Sequence, residues 1–165
     1  MTTYNPLHLS PIPEVIHMPE TVLVYVEKRG PFITQAPVAW YEFWTKAATG
    51  ELDKSLITCM AGLSRIDPTQ EGDKAFIYQA GILTSSLPDP FPAGLQHRTL
   101  KSGMYASFLM TGSYTQFPQA YPVAFERVAM AQLHVRPDFC MERYLNSPQD
   151  TAEENLKTEI LVPIE

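Results

Sequence analysis

The sequence predicts an α+β fold: two fused pseudo-repeated strand-helix-strand-strand units, an antiparallel sheet with helices on one face, and a cleft between the halves. Three observations predict it. The order of periodicities strand, helix, strand, strand occurs twice along the chain. A connection rich in breakers, with Pro88, Pro90, Pro92 and Gly94, separates the two occurrences. Residues also recur at matching places: VEKRGPFITQAPVAWYEFW lies over FLMTGSYTQFPQAYPVAFE so that Gly30 meets Gly112 and Phe32 meets Tyr114. With one inserted residue, Trp40 meets aromatic positions of the second helix.

Taken in order, residues 1–12 read as an arm rather than a core element, because Pro6 and Pro11 interrupt any ladder. The domain follows over residues 13–165, its first half about 13–86 and its second about 101–165. EVIHM and TVLVYVEKRG read as an extended strand broken near Pro19, with Val22, Val24 and Val26 on one face and Leu23, Tyr25 and Glu27 on the other. Gly30-Pro31 ends it. Residues 34–48 predict a helix, with Ala36, Trp40, Phe43, Trp44 and Ala47 at helical spacing. Thr34 is placed as its N-cap, Pro37 in its first turn and Gly50 at its stop. Strands at about 55–62 and 75–83 flank the turn-rich SRIDPTQEGDK.

In the second half a strand is expected over 101–110 and a helix over about 115–133. Pro122 lies inside that helical pattern, so either the helix begins near Tyr121 or it kinks there; Phe125 and Val128 keep the apolar face in both cases. Residues 138–165 read as two strands joined by a polar loop.

Composition narrows the function classes. The chain has 165 residues, 45% hydrophobic, a net charge of -6 and a pI near 5.2. Nucleic-acid affinity rests on clustered Lys and Arg, and the nearest approach, Lys28-Arg29, reads as a solvated strand end. Cys59 and Cys140 lack Cys-x-x-Cys spacing and read as free thiols in a reducing compartment. With no leader pattern and no apolar run of membrane length, the expectation is a cytoplasmic protein that does not enter membranes. His8, His17, His97 and His134 are dispersed, so no metal is assigned. No nucleophile elbow, phosphate-cradling loop or dinucleotide fingerprint is present, and no cofactor is expected.

Alternation then selects the candidate site residues. In the last strand Ile160, Val162 and Ile164 share one face while Glu159 lies opposite; in the strand before it Glu142 shares a face with Cys140 and Tyr144. If both helices cover one face, side chains opposite the aliphatic rows line a concave surface, which nominates Tyr25, Tyr105, Glu142, Tyr144 and Glu159. Trp40 is added from the first helix. A carboxylate beside aromatic walls attracts a delocalised cation through charge and ring quadrupole together.

Four stretches carry a family resemblance: VYVEKRGPF, the Ala39-Trp40 pair, MYASFLMTGSY, and ERYLNSPQDTAEENLKTEILVPIE. Over residues 13–165 the chain resembles the GyrI-like small-molecule-binding family, whose domain also serves as the effector-binding module of bacterial AraC-type and MerR-type regulators. The resemblance implies a stand-alone module that binds small amphipathic aromatic molecules, expected to be cationic, between two half-domains. It implies an acid of the final strand in an aromatic pocket, which ranks Glu159 ahead of Glu142. No helix-turn-helix segment is seen in the chain, so direct nucleic-acid binding is not expected. Two alternatives come with the family: a hydrolase of strained cyclopropane-type natural products, with Glu159 and Tyr105 as candidate catalytic groups, and a protein that modulates a gyrase-like partner. Oligomeric state is left open.

Overall fold

The computed structural model describes residues 6–49 and 52–165, so the first five residues of the arm and the helix stop assigned to Gly50 lie outside the described residues. Runs of alternating β-branched and aromatic residues form eight strands: β1 (Glu14–Met18), β2 (Thr21–Arg29), β3 (Ile57–Ile66), β4 (Phe76–Thr84), β5 (Gln96–Leu100), β6 (Gly103–Thr111), β7 (Cys140–Tyr144) and β8 (Lys157–Ile164). Two amphipathic stretches form α1 (Phe32–Thr49) and α2 (Phe117–Met130).

The eight strands make one antiparallel, curled sheet in the order β1-β6-β8-β7-β3-β4-β2-β5. That order is a palindrome of the two repeats, and the halves join edge to edge through β3 and β7. The expected duplication is therefore present in the sheet itself. Its turn chemistry repeats too. Gly30 and Gly112 both end a strand at positive φ, 137° and 108°, and donate from their amides to the carbonyls of Phe76 and Leu156.

Two strands exchange partners between the halves. β1 lies within the first half of the sequence yet pairs with β6 of the second, and β5, in the connection before the second half, pairs with β2 of the first. Sequence alternation joins β1 to β2 as one broken strand and leaves β5 within the connection; the structure separates all three. The polar run QHRTL has only Leu100 buried, so it carries little apolar signal, and its pairing is what makes it a strand. Within the arm, Leu9 bridges Met110 and is buried in the second-half core, extending that edge beyond β1.

Helix ends also differ from expectation. α1 starts at Phe32, so Thr34 lies inside it, where its hydroxyl donates to the Pro31 carbonyl rather than capping. Pro37 is the sixth helical residue, beyond the first turn. A short 3-10 turn, Tyr114–Gln116, leads into α2, which accommodates Pro118 near its start and Pro122 in its interior.

Both helices lie on one face. α1 covers Val24, Val26, Ala80 and Ile82 with Ala39, Phe43 and Ala47; α2 covers Ala106, Phe108, Ile160 and Val162 with Ala120, Ala124 and Val128. The other, concave face closes over a third cluster that includes Leu23, Tyr25, Leu63, Tyr105, Met141 and Leu161. That burial of apolar surface on both sides makes the sheet the backbone of two layers of core. No helix among the described residues is long and apolar enough to cross a membrane.

Candidate functional site

Strand register decides which acid faces which side. Glu142 of β7 stands opposite Gly62 of β3 and Ile160 of β8, and cross-strand partners share a face. Glu142 and Tyr144 therefore point to the helix side, with the aliphatic row of β8. Glu159 pairs with Arg143 and Leu109 and points to the concave side, as do Tyr25 and Tyr105. The structure thus divides the sequence-nominated residues: Glu142, Tyr144 and Trp40 come together, whereas Glu159, Tyr25 and Tyr105 do not join them.

On the helix side, the seam between the two halves is lined by rings. Trp40 of α1 packs on Tyr144 with centroids 5.6 Å apart, and Tyr114 packs on the same ring at 5.5 Å. Tyr114 stacks on Phe117 at 5.7 Å, and Phe117 leads to Tyr121 at 6.3 Å. These spacings are ordinary for favourable aromatic pairs and form an arc from α1 to α2.

Glu142 lies beneath that arc and is 5% exposed. Tyr121 donates to its Oε1 at 2.7 Å and Tyr144 to its Oε2 at 2.5 Å. The indole N–H of Trp40 donates to the Tyr78 hydroxyl at 2.9 Å. Gly62 makes room for it: a Cβ there would lie 2.5 Å from the Tyr78 hydroxyl and 3.2 Å from Glu142 Oε2 and from the Tyr144 hydroxyl.

Among the described ion pairs none involves Glu142; Arg143 is taken by Glu159, and Lys157 donates to Thr111. Burial without a cation raises the Glu142 carboxyl to about 7, and the Tyr144 and Tyr121 hydrogen bonds pull the other way. Burial and the nearby carboxylate together hold the Tyr121 and Tyr144 hydroxyls well above the usual phenol range. Cys140, on the same face, is pushed up to about 12 by burial and by Glu142. The site is a buried acid in an aromatic surround, with no ion pair among the described residues.

Glu159 has a different environment. Arg143 grips its Oε2 through Nε at 2.9 Å and Nη2 at 2.5 Å, both side chains about one quarter exposed. Tyr25 and Tyr105 pack against guanidinium groups, Arg98 at 5.8 Å and Arg136 at 5.1 Å from the ring centroids. On the concave face the acid is already paired and the rings already hold cations.

Tyr78, Tyr114, Phe117 and Tyr121 were not singled out from sequence. Tyr114 was visible as the equivalent of Phe32, but Tyr78 and Tyr121 needed the register of β3 on β7 and the rotation of α2.

A profile described as the GyrI-like small molecule binding domain matches residues 12–165. Among curated proteins none matches the chain in sequence. Similar solved structures include the C-terminal domain of EcmrR, at a TM-score of 0.73 and 12% identity, covering 96% of this chain and 98% of that one. SAV2435, solved bound to tetraphenylphosphonium, is similar at a TM-score of 0.67 and 19% identity, covering 93% of each chain. A hydrolase from Listeria innocua is similar at 0.63 and 14% identity, covering 94% of this chain and 92% of that one.

Proposed function

The chain belongs to the GyrI-like small molecule binding domain family, and from that premise we propose that it captures amphipathic aromatic cations at Glu142, in the aromatic seam between its two helices. One observation carries the reading: a carboxylate 5% exposed, held by two tyrosines, without a cationic partner among the described residues and beneath an arc of rings. A delocalised cation entering the arc supplies the missing charge, while the ring faces add quadrupole attraction where water is excluded. SAV2435 with its bound tetraphenylphosphonium supports the same ligand class.

Tetraphenylphosphonium and tetraphenylborate share shape and differ in sign, so calorimetric titration with both separates charge recognition from hydrophobic capture. The cation is expected to bind at least about tenfold more tightly, equivalent to about 1.4 kcal/mol. Equal affinity for the two ions refutes recognition by charge.

A second reading is favoured by one property of the same group. A carboxyl raised to about 7 is suited to move protons near neutrality, and a similar fold is that of a hydrolase. In this reading Glu142 activates water against a strained cyclopropane-type electrophile while Tyr121 or Tyr144 stabilises the opening ring. Mass spectrometry of such an alkylator after incubation is expected to show the addition of one water; intact compound under excess protein excludes the reading.

A further inference from the structure

The two halves are built alike but not filled alike. Phe76 and Leu156 are equivalent, because each accepts from the positive-φ glycine that ends the first strand of its half. Two residues beyond them stand Tyr78 and Thr158, so these are equivalent too. In the first half Phe32 packs edge-on to Phe76 at 5.3 Å and lies 6.3 Å from Tyr78, which fills this corner. In the second half the equivalents of those three rings are Tyr114, Leu156 and Thr158.

Tyr114 and Leu156 of these three border open space. A groove of about 420 Å³ opens between residues 113–115 and the loop at 148–156, with Tyr114, Glu153 and Leu156 among its walls. Tyr114 also touches Tyr144, so one ring stands between the groove and Glu142. Thr158 is the cross-strand partner of Tyr144, shares its face, and is fully buried. Its hydroxyl is the one buried side-chain polar atom among the described residues without a hydrogen-bond partner. An orphaned buried hydroxyl is costly, and one beside a charged site has a role when a ligand supplies the partner.

Resting on the ligand reading above, we propose that Thr158 is a specificity-determining residue: its hydroxyl bonds a hydroxyl, carbonyl or ether group of the aromatic cation, whose remainder passes Tyr114 into the groove. Ligands of this class are elongated cations with a hydrogen-bonding group on one ring. Purely hydrocarbon cations use the seam and leave Thr158 unpaired.

Titration with tetraphenylphosphonium and its 4-hydroxyphenyl analogue, on wild type, Thr158→Val and Thr158→Ser, tests this. Wild type is expected to favour the hydroxylated cation about fivefold, the ratio for one net hydrogen bond. Thr158→Val should abolish that preference while leaving tetraphenylphosphonium affinity within about twofold, and Thr158→Ser should retain it. A preference that survives in Thr158→Val, or is absent in a wild type that binds tetraphenylphosphonium, overturns this proposal alone. Binding of neither cation overturns it together with the reading on which it rests. Thermal melts of the unliganded proteins give a second check: Thr158→Val should melt higher, because it removes an unpaired hydroxyl, and a lower melting temperature would mean the hydroxyl is paired within the fold and would overturn the proposal.

Discussion

At the scale of the residue, Glu142 links stability, acidity and ligand in one group. Its folded carboxyl titrates at about 7 against an ordinary 4.5, because burial penalises the charged form more than two tyrosine hydrogen bonds favour it. The fold therefore binds more protons than the unfolded chain between those values. Stability from this group is fully present below about 4.5, declines as pH rises through about 7, and then levels, a change on the order of 3 kcal/mol. Chemical denaturation across that range should show the decline, and Glu142→Gln should flatten it and raise stability at pH 8. A variant that tracks wild type at every pH would assign the titration to another group. The ligand is linked with the opposite sign: a cation favours the ionised carboxylate, so its affinity should weaken below pH 7.

At the scale of the element, the β3-β7 junction makes the site, and Gly62 is where the two strands leave room for it. A methyl group there collides with the Tyr78 hydroxyl, which Trp40 holds in place, and presses on Glu142 and Tyr144. Gly62→Ala is expected to lower stability by about 1–3 kcal/mol, as overpacking does, and to weaken cation binding; an unchanged denaturation midpoint would show that the network yields easily. This junction also marks the limit of what sequence could reveal. The repeat, both helices and the alternation along each strand were legible, because periodicity and the recurrent Gly-x-aromatic pair are local. Alternation placed Glu142 with Tyr144 and Glu159 opposite Ile160, as the structure has them. It carries no information on register between strands, so it could not tell that Glu142 faces the same side as Ile160. Strand β5 was hidden for a related reason: its polar residues show no apolar alternation, and the backbone ladder with β2 is what makes them a strand.

At the scale of the whole molecule, the curled sheet separates two kinds of charge chemistry. The concave face gathers arginines with their partners: Arg143 on Glu159, Arg136 beside Asp138 and over Tyr105, and Arg98 held by Gln79 and packed over Phe139. The helix face gathers rings around one unpaired acid. The exchange of β1 and β5 between halves ties the two units together across the sheet. The ion pair of Glu159 is partly exposed and contributes little on its own account. Titrating tetraphenylphosphonium at pH 8 into Glu142→Gln and Glu159→Gln decides whether the helix-face acid or the concave-face acid receives the cation. A loss of at least about tenfold is expected in the first and less than about twofold in the second; a loss confined to Glu159→Gln refutes recognition at Glu142.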